Sequence, residues 1–220
     1  MAENARIVAN DDGRIFDMAG REATIEDLYK AEGKAEIVGG RMVLMGPTGW
    51  LPGFAGSEIC FSLREYGRRT KSGYAVPESV AFVVNLPNRC SFCPDVAFTV
   101  EPPRTGKFIN GAPVFAGEVR SEGDYGLAAE RAMAAKRAEY FEAGTLVVWD
   151  VDVLREPRVR VYRASDPSTP TGKIEMVGGK LFASEEERVT LLALLLENVG
   201  ADEAIRLGDP AVWREAVKNL

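Results

Sequence analysis

With 220 residues, 46% of them hydrophobic and 27% charged, the chain has the composition of an ordinary globule of one domain. Its net charge of −6 gives no global basic footprint for a nucleic acid, and no uninterrupted apolar run approaches the ~18 residues of a membrane span. There is no histidine, which excludes Ser-His and Cys-His nucleophile systems and His-ligated metal sites and leaves any chemistry to carboxylates, Lys, Arg, Tyr, Ser or Cys.

The opening "MAENARIVANDDGRIF" is polar and acidic early on and lacks the apolar core of a signal peptide, so a cytoplasmic location is expected. "ARIVANDDGRIFDM" reads as a hairpin turning at Asp12-Gly13. Thr24 is placed to cap a short helix, "IEDLYKAEG", that Gly33 ends. "AEIVGGRMVLMGP" alternates on both sides of Gly39-Gly40 and predicts a second hairpin, with Glu36 in its first strand. "SEICFSLREYGRR" has helical spacing, with Ile59, Ser62, Leu63 and Tyr66 along one side. Arg64 and Arg68 lie four apart and share a face. With Arg69 and Lys71 against Glu65 they make a local excess of three positive charges, either a solvated helix end or a phosphate-contacting patch.

After a turn at Gly73, "ESVAFVVNLP" and "CPDVAFTV" read as strands joined by a polar loop. Cys60, Cys90 and Cys93 do not suggest a disulfide framework. The "CSFC" pair has no second pair and no histidine to complete a zinc tetrahedron, so packed thiols are expected. "PPRTGKFINGAP" is a loop, "VFAGEV" the next strand, and a longer helix runs from about Asp124 to Glu142, ending at Ala143-Gly144. "TLVVWDVDV", nearly all apolar, predicts a central strand, and "PRVRVYRA" follows it. "IEMVGGKLFA" reads as a further Gly-Gly hairpin; Ser184 and Glu187 form a capping box before the Leu-rich "VTLLALLLENVG", and Asp209-Pro210 opens a last short helix. The expectation is one mixed α/β domain over 1–220, a mixed sheet flanked by helices, with an N-terminal hairpin and a helical extension over 181–220.

Two of these strands each bury a carboxylate, Asp95 in "SFCPDVAFTV" and Glu118 in "PVFAGEVRS". An unpaired buried carboxylate costs several kcal/mol, so two of them call for a metal, a cation or a proton. Two acids from adjacent strands with a backbone carbonyl between them offer oxygen ligands to Mg²⁺, which favours one or two carboxylates, several waters and substrate phosphate. On the following helix Ala129, Met133, Lys136 and Tyr140 make one stripe. That turns Lys136 inward and leaves Arg137 as the better candidate for the solvent side. An inward Lys136 orients an attacking water or stabilises charge on phosphorus; equally it snorkels past its own stem or makes a structural ion pair.

The succession "CPDVAF", "GEVRS" and "KRAEYFEAGTLVVWDVD" followed by "RVRVY" resembles the Uma2 endonuclease family, within the PD-(D/E)XK restriction-endonuclease-like nucleases. The resemblance covers roughly residues 22 to 180, including "AEIVGGRMVLMGP". It implies a restriction-endonuclease-like core and a Mg²⁺- or Mn²⁺-dependent endonuclease, with Asp95, Glu118 and the Val119 carbonyl as metal ligands. It implies Lys136 as the motif lysine moved onto the helix, and Glu36 as an auxiliary acid. Asp124 is expected to cap the helix, and Tyr140, Gly144 and Trp149 to be structural. Arg120 stands where the standard motif has lysine. It shares a face with Glu118, so it either contacts phosphate or pairs with Glu118. Arg120, Arg64 and Arg68 are the candidate substrate-binding residues. The implied partners are a nucleic acid, DNA rather than RNA, and a second copy in a homodimer, with no membrane. The alternative is an inactive nuclease-fold relative acting as a dimeric binding or scaffold module, in which Glu118 pairs with Arg120 or Lys136 and holds no metal.

Overall fold

The computed structural model describes residues 22–155 and 158–170, with the backbone of short strands at 7–9, 15–17 and 172–175. The predicted C-terminal helices, with the Ser184 capping box and Asp209-Pro210, and the far half of the last hairpin lie outside the described residues. The N-terminal hairpin pairs β1 (Ile7–Ala9) with β2 (Ile15–Asp17), antiparallel, Ile7 facing Asp17. Helix α1 (Ile25–Leu28) is shorter than "IEDLYKAEG" suggests. Thr24 and Asp27 form a reciprocal capping box, and the chain leaves the helix after Leu28.

Strands β3 (Ala35–Val38) and β4 (Arg41–Leu44) make the expected hairpin. Gly39 and Gly40, at φ +57° and +69°, supply the two left-handed residues that a tight two-residue turn needs. Helix α2 (Trp50–Thr70) starts seven residues earlier than expected. "WLPGFAG" has the Pro and Gly content of a loop, yet Pro52 sits in the first turn, where its missing N–H costs nothing.

The main sheet has six strands: β5 (Tyr74–Pro77), β8 (Val96–Thr99), β10 (Phe115–Val119), β11 (Val147–Asp152), β12 (Arg158–Arg163) and β13 (Gly172–Glu175). Their order is β13-β12-β11-β10-β8-β5. Strand β5 is absent from the sequence expectation; ending in Pro77, it lies at the edge, where proline is tolerated. "ESVAFVVNLP" yields only β6 (Phe82–Val83), which joins β7 (Ser91–Phe92) and β9 (Ile109–Asn110) in a small separate sheet. Helix α3 (Leu127–Glu142) carries the chain from β10 to β11, and that pair is accordingly parallel.

The helices cover opposite faces of the sheet. Ile59, Leu63 and Tyr66 of α2 pack with Val96, Phe98, Phe115, Val119 and Trp149. On the other face Tyr140 of α3 packs with Ala97, Ala116 and Val148. The strand alternation therefore sends Glu118 to the α3 side, and Val119 to the α2 side. Gly117 is required between them: a Cβ there would stand 2.6 Å from Val96 Cγ1.

Candidate active site

Strands β8 and β10 run antiparallel with Gly117 opposite Val96, so continuing the register by one residue brings Asp95 level with Glu118. Asp95 Oδ2 accepts the Val119 N–H at 2.7 Å, which ties its carboxylate to the end of β10. Its Oδ1 accepts from the Lys34 ammonium. Burial would lower the Lys34 pKa, but Asp95 and Glu118 more than offset this and keep it raised.

Glu118 lies under α3. Its Oε2 accepts from Lys136 Nζ at 2.9 Å and its Oε1 from the Tyr140 hydroxyl at 2.6 Å. The same Lys136 Nζ is 2.8 Å from Glu36 Oε1, so one ammonium bridges β10 and the β3–β4 hairpin. Glu36 also accepts the Cys93 N–H at 2.8 Å and Arg89 Nη1 at 2.5 Å. Arg89 in turn donates from Nε to Glu139 of α3 at 2.6 Å. The predicted inward stripe is correct for Lys136. Arg137 is not the solvated residue expected beside it, since its guanidinium lies 3.7 Å from the centre of the Tyr162 ring.

Buried Glu36 and half-buried Glu118 are displaced in opposite directions. Burial alone would raise Glu36, but Lys136 and Arg89 override it and bring its pKa down to about 2. Glu118 is raised: burial acts against its charge, and Asp95 and Glu36 add repulsion that Lys136 does not cancel. Lys136 is raised because Glu118 and Glu36 outweigh the opposing effect of burial. Counted together, Glu36, Asp95, Glu118 and Glu139 face Lys34, Arg89 and Lys136. Among the described residues four carboxylates meet three cations, a local deficit of one positive charge.

The structure thus brings Asp95, Glu118, Lys136 and Glu36 into one cluster, and it adds Lys34, Arg89 and the Tyr140 hydroxyl. Lys34 and Arg89 sit in polar loop stretches of the sequence, with no motif or periodicity to mark them. Tyr140 reads as an apolar stripe member, and its ring does stack on Phe92 at 4.0 Å. Cys93 serves the cluster through its peptide N–H, while burial pushes its thiol up to about 11. Cys60, Cys90 and Cys93 are all free.

Arg120 takes neither of the two roles expected of it. Its side chain is 2% exposed. Nε and Nη2 donate to Asp150 at 2.6 and 2.7 Å, and Nη1 and Nη2 donate to Glu130, the latter at 3.0 Å. Nη1 also donates to the Asp124 carbonyl at 3.2 Å. All five N–H donors are engaged, and none by Glu118. Asp124 does not cap α3, whose N-cap is Gly126; its Oδ2 accepts the Ser121 N–H at 2.7 Å and closes the turn after β10. Arg64 and Arg68 lie two to three turns beyond Gly56, the α2 residue that meets Asp95. At 1.5 Å per residue that is roughly 12 to 18 Å along the helix axis.

A cleft runs from Asp95 and Val119 along Pro52, Gly53, Gly56 and Ser57 of α2 to Pro77 and Glu78. Among the described residues no three acidic or cysteine side chains converge closely enough to hold a metal ion by themselves. An ion held between Asp95, which lines this cleft, and Glu118 beside it in the sheet would draw on two carboxylates, a backbone carbonyl, water and substrate, which is the donor set suited to Mg²⁺. The deficit of positive charge and the raised Glu118 fit it.

The Uma2 family model, described as "Putative restriction endonuclease", matches residues 23–171, well over half of the chain. A solved structure from Anabaena variabilis, described as a "putative nuclease belonging to DUF820", superposes with a TM-score of 0.55 at 16% identity, covering 79% of this chain and 99% of that one. At that identity the likeness is one of fold. No curated protein matches the chain. Among the described residues no helix is long and apolar enough to cross a membrane.

Proposed function

The chain belongs to the Uma2 restriction-endonuclease family, and from that premise we propose that it is a metal-dependent endonuclease, acting on DNA rather than RNA. The observation that supports this best is the charge deficit around Asp95 and Glu118, two carboxylates brought level by the β8–β10 register, with Asp95 lining an open cleft. Asp95, Glu118 and the Val119 carbonyl would hold Mg²⁺ or Mn²⁺. Bound there, the ion supplies a water of lowered pKa and offsets charge on the attacked phosphate.

The chain's own residues do the rest. Val119 N–H fixes the Asp95 carboxylate, and Tyr140 and Lys136 fix that of Glu118. Lys136 stays protonated, so it acts as a fixed positive charge for the phosphate and the attacking water. Glu36, anchored by Arg89 and Cys93, holds the Lys136 ammonium from behind. A divalent ion held there would change the local charge from minus one to plus one, which one phosphodiester would bring back to zero. Attack on phosphorus with release of the 3′-oxygen leaves a 5′-phosphate and a 3′-hydroxyl.

One observation favours the second reading, a non-catalytic dimeric module: each acid already has a lysine partner, Lys34 for Asp95 and Lys136 for Glu118. A Mn²⁺ titration of the wild type and Asp95→Ala, followed by cleavage assays on plasmid and single-stranded DNA, separates the two. Binding that disappears in Asp95→Ala, with cleavage lost in both Asp95→Ala and Glu118→Ala, is expected. Cleavage retained in both single variants would overturn the nuclease reading at this site, and a wild type with neither metal binding nor cleavage would favour the module.

A further inference from the structure

Outside the catalytic cluster, the outer face of α2 carries an exposed stripe that neither the core nor the site uses. Trp50, Phe54 and Phe61 are 82%, 43% and 53% exposed. Their spacing of four and seven residues puts them on one side of the helix, opposite the Ile59, Leu63 and Tyr66 side that packs on the sheet. The Trp50 and Phe54 rings are stacked, with centroids 5.6 Å apart. The same side continues to Arg64 and to Arg68, which is 72% exposed and 3.4 Å from Glu65. In a chain of net charge −6, aromatic rings followed by arginines along one helix side form a local exception to the overall charge.

We propose that this stripe binds single-stranded nucleic acid, with unpaired bases stacking on Trp50 and Phe54 and the adjoining phosphates running toward Arg64 and Arg68. Bases offer the rings a π-face, and the phosphates complement the arginines; together these are the ordinary means of holding a single strand. The position supports it. Gly53 and Ser57 of α2 line the cleft that ends at Asp95, and helical spacing puts them between the cleft wall and the aromatic rings. Thr48, just ahead of the helix, is bonded to Ser121 beyond β10 at 3.1 Å. A strand lying in the cleft thus reaches the rings by crossing one glycine and one serine.

A second copy of the chain fits this surface less well. The three rings expose roughly 350 Å² between them, well under the ~800 Å² per partner of a stable protein interface. Ser57, Glu65 and the arginines interrupt the stripe, whereas interface cores are depleted of charge.

The inference deepens the nuclease reading by naming the substrate class, so its test separates binding from cleavage. Wild type, Asp95→Ala and the double variant Trp50→Ala/Phe54→Ala are titrated with a fluorescent oligodeoxythymidylate of about 15 nucleotides. Circular dichroism checks folding and sedimentation gives oligomeric state. Expected are binding by wild type and Asp95→Ala alike, quenching of Trp50 emission, and an affinity about 10-fold or more weaker in the double variant. A folded double variant with unchanged affinity would overturn the proposal. So would a wild-type dimer that the double substitution dissociates, which would assign the stripe to self-association. Binding that depends on Trp50 and Phe54 in a protein that never cleaves would leave this surface standing and remove only the catalytic reading.

Discussion

Helix α3 covers two groups of buried charge, side by side on one face of one sheet, and they are built to different standards. Glu118 and Asp150 are register partners on the parallel strands β10 and β11, so the groups are neighbours. Among the described residues the account around Asp150 closes: Arg120 and Arg160 face Asp150 and Glu130, and every Arg120 donor is satisfied. Around Glu118 it does not, because four carboxylates face three cations and burial with acidic neighbours holds the Glu118 pKa up. Burial of charge alone does not separate scaffold from chemistry. The unmet demand for positive charge does.

The largest expected effect tests the closed group. Arg120→Met removes five donors and leaves Asp150, buried, with Arg160 alone at 3.2 Å. Breaking a buried pair in this way is expected to cost about 3–5 kcal/mol, read as a lower midpoint in urea unfolding. The Mn²⁺ affinity of the folded fraction should remain. If affinity falls with little loss of stability, the two groups are not separate, and Arg120 belongs with the site after all.

A somewhat smaller effect distinguishes Glu36 from Glu118 by pH. Glu36 is held to about 2 against an ordinary 4.5. A depressed carboxylate contributes stability that is present above its unfolded pKa and lost as pH falls through the folded one. Wild type should therefore lose on the order of 3 kcal/mol between pH 4.5 and 2 on account of this group. Glu118, raised, contributes with the opposite sign, because its ionisation costs the folded state stability as pH rises. Urea unfolding of wild type and Glu36→Gln across that window should show a shallower acid limb in the variant. An identical limb would show that Lys136 and Arg89 do not hold Glu36 ionised.

What could be read from the sequence follows the same division. Asp95 and Glu118 stood out because a carboxylate inside an apolar strand run is visible without knowing the fold, and Lys136 because helical spacing set it in line with Met133 and Tyr140. Glu36 entered through the family resemblance. The partners are hidden: Lys34 lies 61 residues from Asp95, and Arg89 lies 53 from Glu36, each in an irregular stretch with no pattern to mark it. Arg120 departs from the expectation because alternation fixes the face of a side chain and says nothing of which acid on that face it meets. Asp150 becomes its partner only once α3 has returned the chain to pair β11 with β10. The early start of α2 was masked by Pro52, Gly53 and Gly56, whose composition signals a loop, and with it went the aromatic stripe at Trp50 and Phe54.

The last comparison lies within the under-filled group, between its two lysines. Lys136 is braced from two sides by Glu36 and Glu118 and is part of the frame. Lys34 meets Asp95 Oδ1, on one of the two carboxylates proposed as metal ligands, and among the described residues it has no second hydrogen-bonded acid. If the charge deficit is what draws an ion, Lys34 competes with that ion for Asp95, and Lys34→Met should tighten Mn²⁺ binding by about tenfold, or ~1.4 kcal/mol. Two like charges near one carboxylate oppose each other, so the gain should shrink as salt screens them. Calorimetric titration of the variant at low and at physiological ionic strength measures both. Unchanged or weaker binding would place Lys34 with Arg120, as a partner that completes its carboxylate rather than one that holds a place for a metal.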